Sequence, residues 1–285
     1  MSLNIQNICA VVITYNPGDD FLKNISAISK QVNQIIIIDN SSANKNFIRE
    51  IRRMHPSIIL VENATNIGIA GALNIGVKTA IRLQFHWALQ LDQDSLLNAN
   101  MIDVVCKTFL STDVSRTAMI GVNYSNGGKN MLKNSRKEII EVSTLITSGS
   151  FINTEVFAKA GDYRSDFFID AVDFEYSLRL RKQQYQLLLV TQPLMSHAIG
   201  ELKTLNLGLF KLHSTNHNAL RRYYRARNTM LLTRMYFTSF PGWILKYLFF
   251  FMLSILLIIL VDNNKGDKLK SILKGLKDGI FAKRK

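Results

Sequence analysis

Over the first hundred residues short β-branched runs alternate with longer amphipathic stretches, the pattern of βαβ units winding a mostly parallel sheet. The apolar runs predict strands at 8–14, 34–39, 58–62 and 87–92. Between them, spacing near 3.6 predicts helices at 19–30, 44–54 and 69–83, with Asp19 and Asn44 placed to cap the first two. Beyond Asp92 the pattern turns α+β: a helix at 100–110, a strand at 119–122, strands at 139–147 and 187–191, and a helix at 173–182. A polar loop rich in Asn, Gly and Lys at 123–137 is a candidate flap.

From Ala219 a basic helix leads into FPGW and then YLFFFMLSILLIILV, fifteen residues without a charge. At about 1.5 Å per residue that run reaches about 22 Å, short of a ~30 Å hydrocarbon core, and extending it backward brings Lys246 inside. A span would also carry the basic tail across the bilayer, against the positive-inside tendency. An in-plane or re-entrant helix is the expectation, with a buried core helix as the alternative.

Composition sharpens this picture through the placement of charge. The 285 residues are 47% hydrophobic, enough for one large domain or a domain with an appendage. Of the net charge of +14, twelve units come from two segments, 201–235 and 263–285. An anionic partner is expected near the C-terminal part, a lipid surface or a phosphorylated substrate; no recognisable nucleic-acid module accompanies the charge. Cys9 and Cys106 lie in apolar patterns and form no CxxC pair, which argues against a disulfide framework or a zinc site. The opening MSLNIQN lacks a basic stretch leading into an apolar run, so no secretory signal is predicted and the catalytic part is expected in the cytoplasm.

In an open α/β sheet, ligands bind beyond the carboxyl ends of the strands. The four predicted strands end in ITYN, in DNSS, before NATNIGIAGALNIG, and in LDQDS. Asp92 and Asp94 stand two residues apart on extended chain and therefore point the same way, as two carboxylates sharing one divalent cation must; paired acids at a strand end also serve as turn formers. The glycines Gly68, Gly71 and Gly76 do not have GxGxxG spacing, and strand one runs into Thr14, Tyr15, Asn16 and Pro17, which excludes a dinucleotide fingerprint. Close packing of a helix on the sheet explains Gly71 and Gly76 equally well.

VVITYN, IIIIDNSS, the stretch from Asn66 to Gly76, LDQDS and FIDAVDFEYSLRLR follow one another in an order and spacing that resembles glycosyltransferase family 2, the nucleotide-diphospho-sugar transferases of GT-A fold, over about residues 8–235. With HAIGE and RRYYRARN, the chain looks most like the rhamnosyltransferase branch that builds bacterial surface polysaccharides. That resemblance implies an α/β fold with a mostly parallel central sheet flanked by helices: a GT-A domain at 1–235, with a nucleotide-binding half at 1–97 and an acceptor side at 98–235, then a membrane-associating segment at 236–285.

It also implies site residues. Thr14 and Asp39 contact base and ribose, Asn66 lines the same pocket, and Asp94 binds Mg²⁺ or Mn²⁺ with Asp92 on metal or ribose. His197 is a third metal ligand or touches the diphosphate. The family pattern EDxD before an LR-bearing helix becomes Val172, Asp173, Phe174, Glu175 here, so the catalytic base is Asp173 or Asp170, and Glu175 is the second acid. Arg221, Arg222, Arg227 and Asn228 are candidates for the diphosphate, with anionic lipid the competing partner. The implied activity is inverting transfer of L-rhamnose from dTDP-L-rhamnose, or of another sugar from UDP or GDP, to a polyprenyl-diphosphate-linked oligosaccharide at the cytoplasmic face of the inner membrane. A non-catalytic nucleotide-sugar or membrane-binding module is the rival, against which the intact Asp92, Asp94 and Asp173 argue.

Overall fold

The computed structural model describes residues 3–110, 112–132, 135–197, 203–207, 210–214 and 216–283. They group into two compact units, Met1–Asp166 with Val172–Ala198, and Phe167–Ala171 with Ile199–Lys285.

The first unit opens with β1 (Ile8–Thr14), α1 (Asp20–Ser29), β2 (Ile35–Asp39), α2 (Lys45–Met54), β3 (Ile59–Glu62), α3 (Gly68–Arg82) and β4 (Trp87–Asp92). These strands pair in parallel in the order β3-β2-β1-β4. Every residue of β1 and β2 is buried, the mark of strands covered on both faces. A Cβ at Gly76 would stand 2.2 Å from Val11 Cγ1, so this glycine lets α3 lie flush on the sheet. At Gly71 the nearest atoms to an added Cβ belong to the side chain of Ile67, at the start of its own helix. Asn44 caps α2 by accepting from the Phe47 amide, whereas Asp19 makes no side-chain cap bond.

The unit continues with β5 (Ser95–Leu97), α4 (Met101–Thr108), β6 (Thr117–Asn126), β7 (Lys129–Asn130), β8 (Ile139–Glu141), β9 (Ser150–Asn153), α5 (Thr154–Ala160), α6 (Val172–Lys182) and β10 (Gln186–His197). The sheet runs on from β4 through β9, β6 and β10 to β5, with β9 antiparallel to both neighbours. The strand expected over 139–147 stops at Glu141. Leu145 instead turns inward against Gly121, and the chain reverses at Gly149, φ 78°. The short β9 and α5 escaped the periodicity, although Asn153 caps α5 and Gly161, at φ 87°, ends it. The expected flap is partly regular: β6 extends to Asn126 and turns back into β7 through Gly127 and Gly128. The last strand runs six residues past its expected end at Thr191, crossing a register shift around Pro193 that accommodates the missing amide donor.

The second unit holds a hairpin, β11 (Lys203–Leu207) and β12 (Phe210–Ser214), and three helices, α7 (Ala219–Tyr236), α8 (Pro241–Val261) and α9 (Lys265–Phe281). The apolar helix thus begins six residues before the charge-free run, at a proline in its first turn, and by length and composition is able to cross a membrane. The basic tail is itself helical. Cβ atoms at Gly275 and Gly279 would come within 2.3 Å of the Tyr223 carbonyl and 2.5 Å of the Arg227 carbonyl, so α9 lies against α7 almost backbone to backbone. Ala226, Phe251, Ile258 and Ile272 bring all three helices into one apolar cluster. At its end, Asp262, wholly buried, binds Arg222 at 3.2 Å and Lys268 at 2.8 Å.

Candidate active site

Parallel pairing of β1 with β2 and β4 sets Thr14 beside Asp39 and Ile13 beside Asp92, so three polar loops leave the sheet along one edge. Gln93 joins two of them: its amide oxygen accepts from Thr14 Oγ1 at 3.0 Å and the Tyr15 amide at 2.8 Å, and its carbonyl accepts from Asn24 Nδ2. Asp39 is fully buried, its carboxylate taking the amide and the hydroxyl of Ser42. Asn66 is exposed, and its side-chain oxygen accepts from Asn40 Nδ2 and the Gly68 amide, both at 2.9 Å.

At the end of β4 the carboxylates of Asp92 and Asp94 meet the imidazole of His197, and one ligand atom from each lies within 4.8 Å of the others. The antiparallel pairing of β5 with β10 sets His197 opposite Ser95. Its Nδ1 is 3.2 Å from Asp94 Oδ1 and its Nε2 is 4.0 Å from Asp92 Oδ2. Burial pulls the imidazole pKa down, but the hydrogen bond to Asp94 and the charges of Asp94 and Asp92 outweigh it and leave the pKa raised. Two carboxylates and one imidazole form an oxygen-rich donor set that suits Mg²⁺ or Mn²⁺.

Ser148, just before the glycine at which the chain reverses, braces this group. Its Oγ is 2.5 Å from Ser95 Oγ and accepts the Asp92 amide at 3.3 Å. The ring of Tyr124 meets His197 edge-on, centroids 5.8 Å apart. Burial and the charge of Asp173 together push the Tyr124 hydroxyl pKa up, which puts Asp173, in the first turn of α6, within electrostatic reach of the ring that touches His197. Glu175, two residues on, is 1% exposed and clamped by Arg179, which also donates to the carbonyls of Ala160 and Asp162. Sequence reasoning missed Gln93, Tyr124 and Ser148; only the polar TSGS at 147–150, flanked by apolar residues, offered a signal.

In the second unit, Asp170 sits in a tight loop where Phe168, Asp170 and Ala171 have φ of 56°, 63° and 62°. Such angles cost free energy in residues other than glycine and persist only when surrounding structure enforces them. Asn228, fully buried, does so: its Nδ2 donates to the carbonyls of Phe167, Ile169 and Asp170 at 2.8 to 3.0 Å. Phe168 stacks on Tyr224 at 4.9 Å, and Arg221 binds the Asp170 carboxylate. Arg227 donates to Asn228 Oδ1, while Arg222 is turned away and buried with Asp262. Burial and the charge of Arg221 push His217 down to about 4, with Arg222 and Arg225 adding to the effect.

Residues 9–183 match the family model for glycosyl transferase family 2. Over 96% of this chain and 95% of the relative, the sequence is 28% identical to dTDP-rhamnosyl transferase RfbF of Shigella flexneri. Among solved structures, GalNAc-T7 with UDP, GalNAc and Mn²⁺ is similar with a TM-score of 0.60 at 14% identity, over 85% of this chain and 50% of that one. S. aureus TarS 1-349 is similar with a TM-score of 0.54 at 13% identity, over 96% and 72%. At these identities the structural likeness shows a common GT-A-like fold.

Proposed function

The chain belongs to glycosyltransferase family 2, and from that membership we propose that it transfers L-rhamnose from dTDP-L-rhamnose, with inversion, to a polyprenyl-diphosphate-linked oligosaccharide in O-antigen or related surface polysaccharide synthesis. The observation that carries a diphospho-sugar donor is the meeting of Asp92, Asp94 and His197 at the carboxyl edge of the nucleotide-binding half. The near full-length relative that is a dTDP-rhamnosyl transferase supports dTDP-rhamnose over a UDP- or GDP-sugar.

Thr14, Asp39 and Asn66 receive base and ribose at the ends of β1 and β2 and in the loop after β3. Asp92, Asp94 and His197 hold Mg²⁺ or Mn²⁺, which when bound supplies positive charge against the departing diphosphate. Asp173 takes the proton from the acceptor hydroxyl as it attacks the anomeric carbon, and the nucleoside diphosphate leaves from the opposite face. Asp170, held by Arg221, keeps the acceptor side of the loop in place. One base and one displacement imply inversion.

Residues 1–235 carry the chemistry and 236–285 the membrane contact, at the cytoplasmic face of the inner membrane, where a lipid-linked acceptor resides. Calorimetric binding of dTDP, UDP and GDP, each with and without Mn²⁺, tests the donor. Metal-dependent preference for dTDP is expected; preference for UDP or GDP removes the rhamnose assignment.

A further inference from the structure

The three C-terminal helices decide how the apolar segment meets a bilayer. One face of α8 is packed: Ile244, Phe251 and Ile258 are buried, seven residues apart, and Asp262 continues the line. The opposite face presents Leu245, Phe249, Met252, Leu256 and Ile259, each 47–65% exposed and spaced three or four residues apart, a continuous apolar stripe. A soluble helix puts polar residues there.

Neighbouring contacts fix the direction of the limbs. Along α9, Gly275 lies at Tyr223, Gly279 at Arg227, and the carbonyls of Gly279 and Ala282 accept from Arg234, so α9 runs parallel to α7. The far end of α8 returns through Asp262 to Arg222, at the start of α7. Thus α8 runs antiparallel to α7 and α9, which pack directly on each other and carry Arg227, Lys274, Lys277 and Asp278 between their ends. Standing α8 across a bilayer would draw those charges into hydrocarbon. On the exposed side of α9, Leu273 and Ile280 alternate with Lys270, Lys274 and Lys277, whose long stems let apolar surface sink while the ammonium groups stay at headgroup level.

We propose that the α7–α9 unit docks in the plane of an anionic bilayer, with the outer stripe of α8 submerged and the α9 lysines on acidic headgroups, and that α8 does not span. This deepens the membrane placement in the functional reading, but its test is independent of the donor. Full-length protein is sedimented with phosphatidylcholine vesicles with and without phosphatidylglycerol, and Mn²⁺-dependent dTDP binding is measured alongside. Binding that requires phosphatidylglycerol is expected, with Phe249→Glu and Leu256→Glu each weakening it at least about tenfold while dTDP binding stays unchanged. Lys274→Glu with Lys277→Glu is expected to reduce the dependence on phosphatidylglycerol, and a protease added outside should remove a C-terminal tag from vesicle-bound protein. Vesicle binding unaffected by the two glutamates overturns the proposal, and so does a protected tag. A lipid-independent dimer dissociated by Phe249→Glu, without vesicle binding, assigns the stripe to a second copy of the chain and also overturns it.

Discussion

Arg221 grips Asp170 through both carboxylate oxygens, its Nε 3.2 Å from each and its Nη2 3.1 Å from Oδ1. A carboxylate held this way has both oxygens engaged by a guanidinium fork and is not free to turn toward an incoming hydroxyl.

Transfer should therefore depend on Asp173 more than on Asp170. Asp173→Asn is expected to lower kcat by about 10²- to 10⁴-fold with little change in dTDP affinity. For Asp170→Asn a smaller loss is expected, matched by Arg221→Gln, because the two act as a pair. Single-turnover assays with dTDP-rhamnose decide the matter; an inactive Asp170→Asn beside an active Asp173→Asn would make Asp170 the base.

Donor binding should follow the cluster at the end of β4. With Asp94→Asn or His197→Ala, calorimetry is expected to show at least about tenfold weaker Mn²⁺-dependent dTDP binding, and chelation with EDTA should reduce the wild type to the level of the variants. Equal dTDP affinity with and without metal would remove these residues from a cation site.

Ser148 touches no ligand in this scheme, yet it ties the Asp92 amide to Ser95. Ser148→Ala removes the bridge between the Asp92 amide and the buried Ser95 hydroxyl, which keeps only the longer 3.4 Å contact to His197 Nδ1, at a cost of about 1–3 kcal/mol. The expected result is a lower Tm together with several-fold weaker Mn²⁺ binding. A change in Tm with unaltered metal affinity would make Ser148 purely a packing residue.

In the helical unit, Asp262→Ala leaves Arg222 and Lys268, 3% and 6% exposed at their side chains, without the carboxylate between them. Stripping one partner from a buried ion group costs about 3–5 kcal/mol. Thermal unfolding should show it, whereas Lys265→Ala, on the exposed side of α9, should leave Tm unchanged.

Much of the first unit is legible in the sequence because parallel strands buried on both faces read as continuous apolar runs, and the polar residues that follow them mark one edge of the sheet. Asp92 and Asp94 are visible for the same reason. Ser148 and Tyr124 are not, since their positions depend on the antiparallel β9 and the long β10, whose pairing partners lie tens of residues away in the chain; Gln93 is not, since its partners Thr14, Tyr15 and Asn24 stand 69 to 79 residues before it. The path of β10 past Pro193 could not be read locally, because proline ordinarily argues for the end of a strand. The tail from Lys265 shows in the sequence only as a basic stretch suited to an anionic partner; its packing appears when Gly275 and Gly279 are seen against α7, and no period in a single segment reveals which neighbour a glycine is making room for.

The loop pinned by Asn228 has a consequence for heredity. Residues 167–171 lie inside the stretch that matches the family model, yet the groups that hold them, Arg221, Tyr224 and Asn228, lie beyond its end at residue 183. A recombination joining the front of this chain to the back of a relative would divide the loop from its supports. Such chimaeras should survive only when the crossover brings both parts from one parent, so the loop at 167–171 and the helical unit are inherited together.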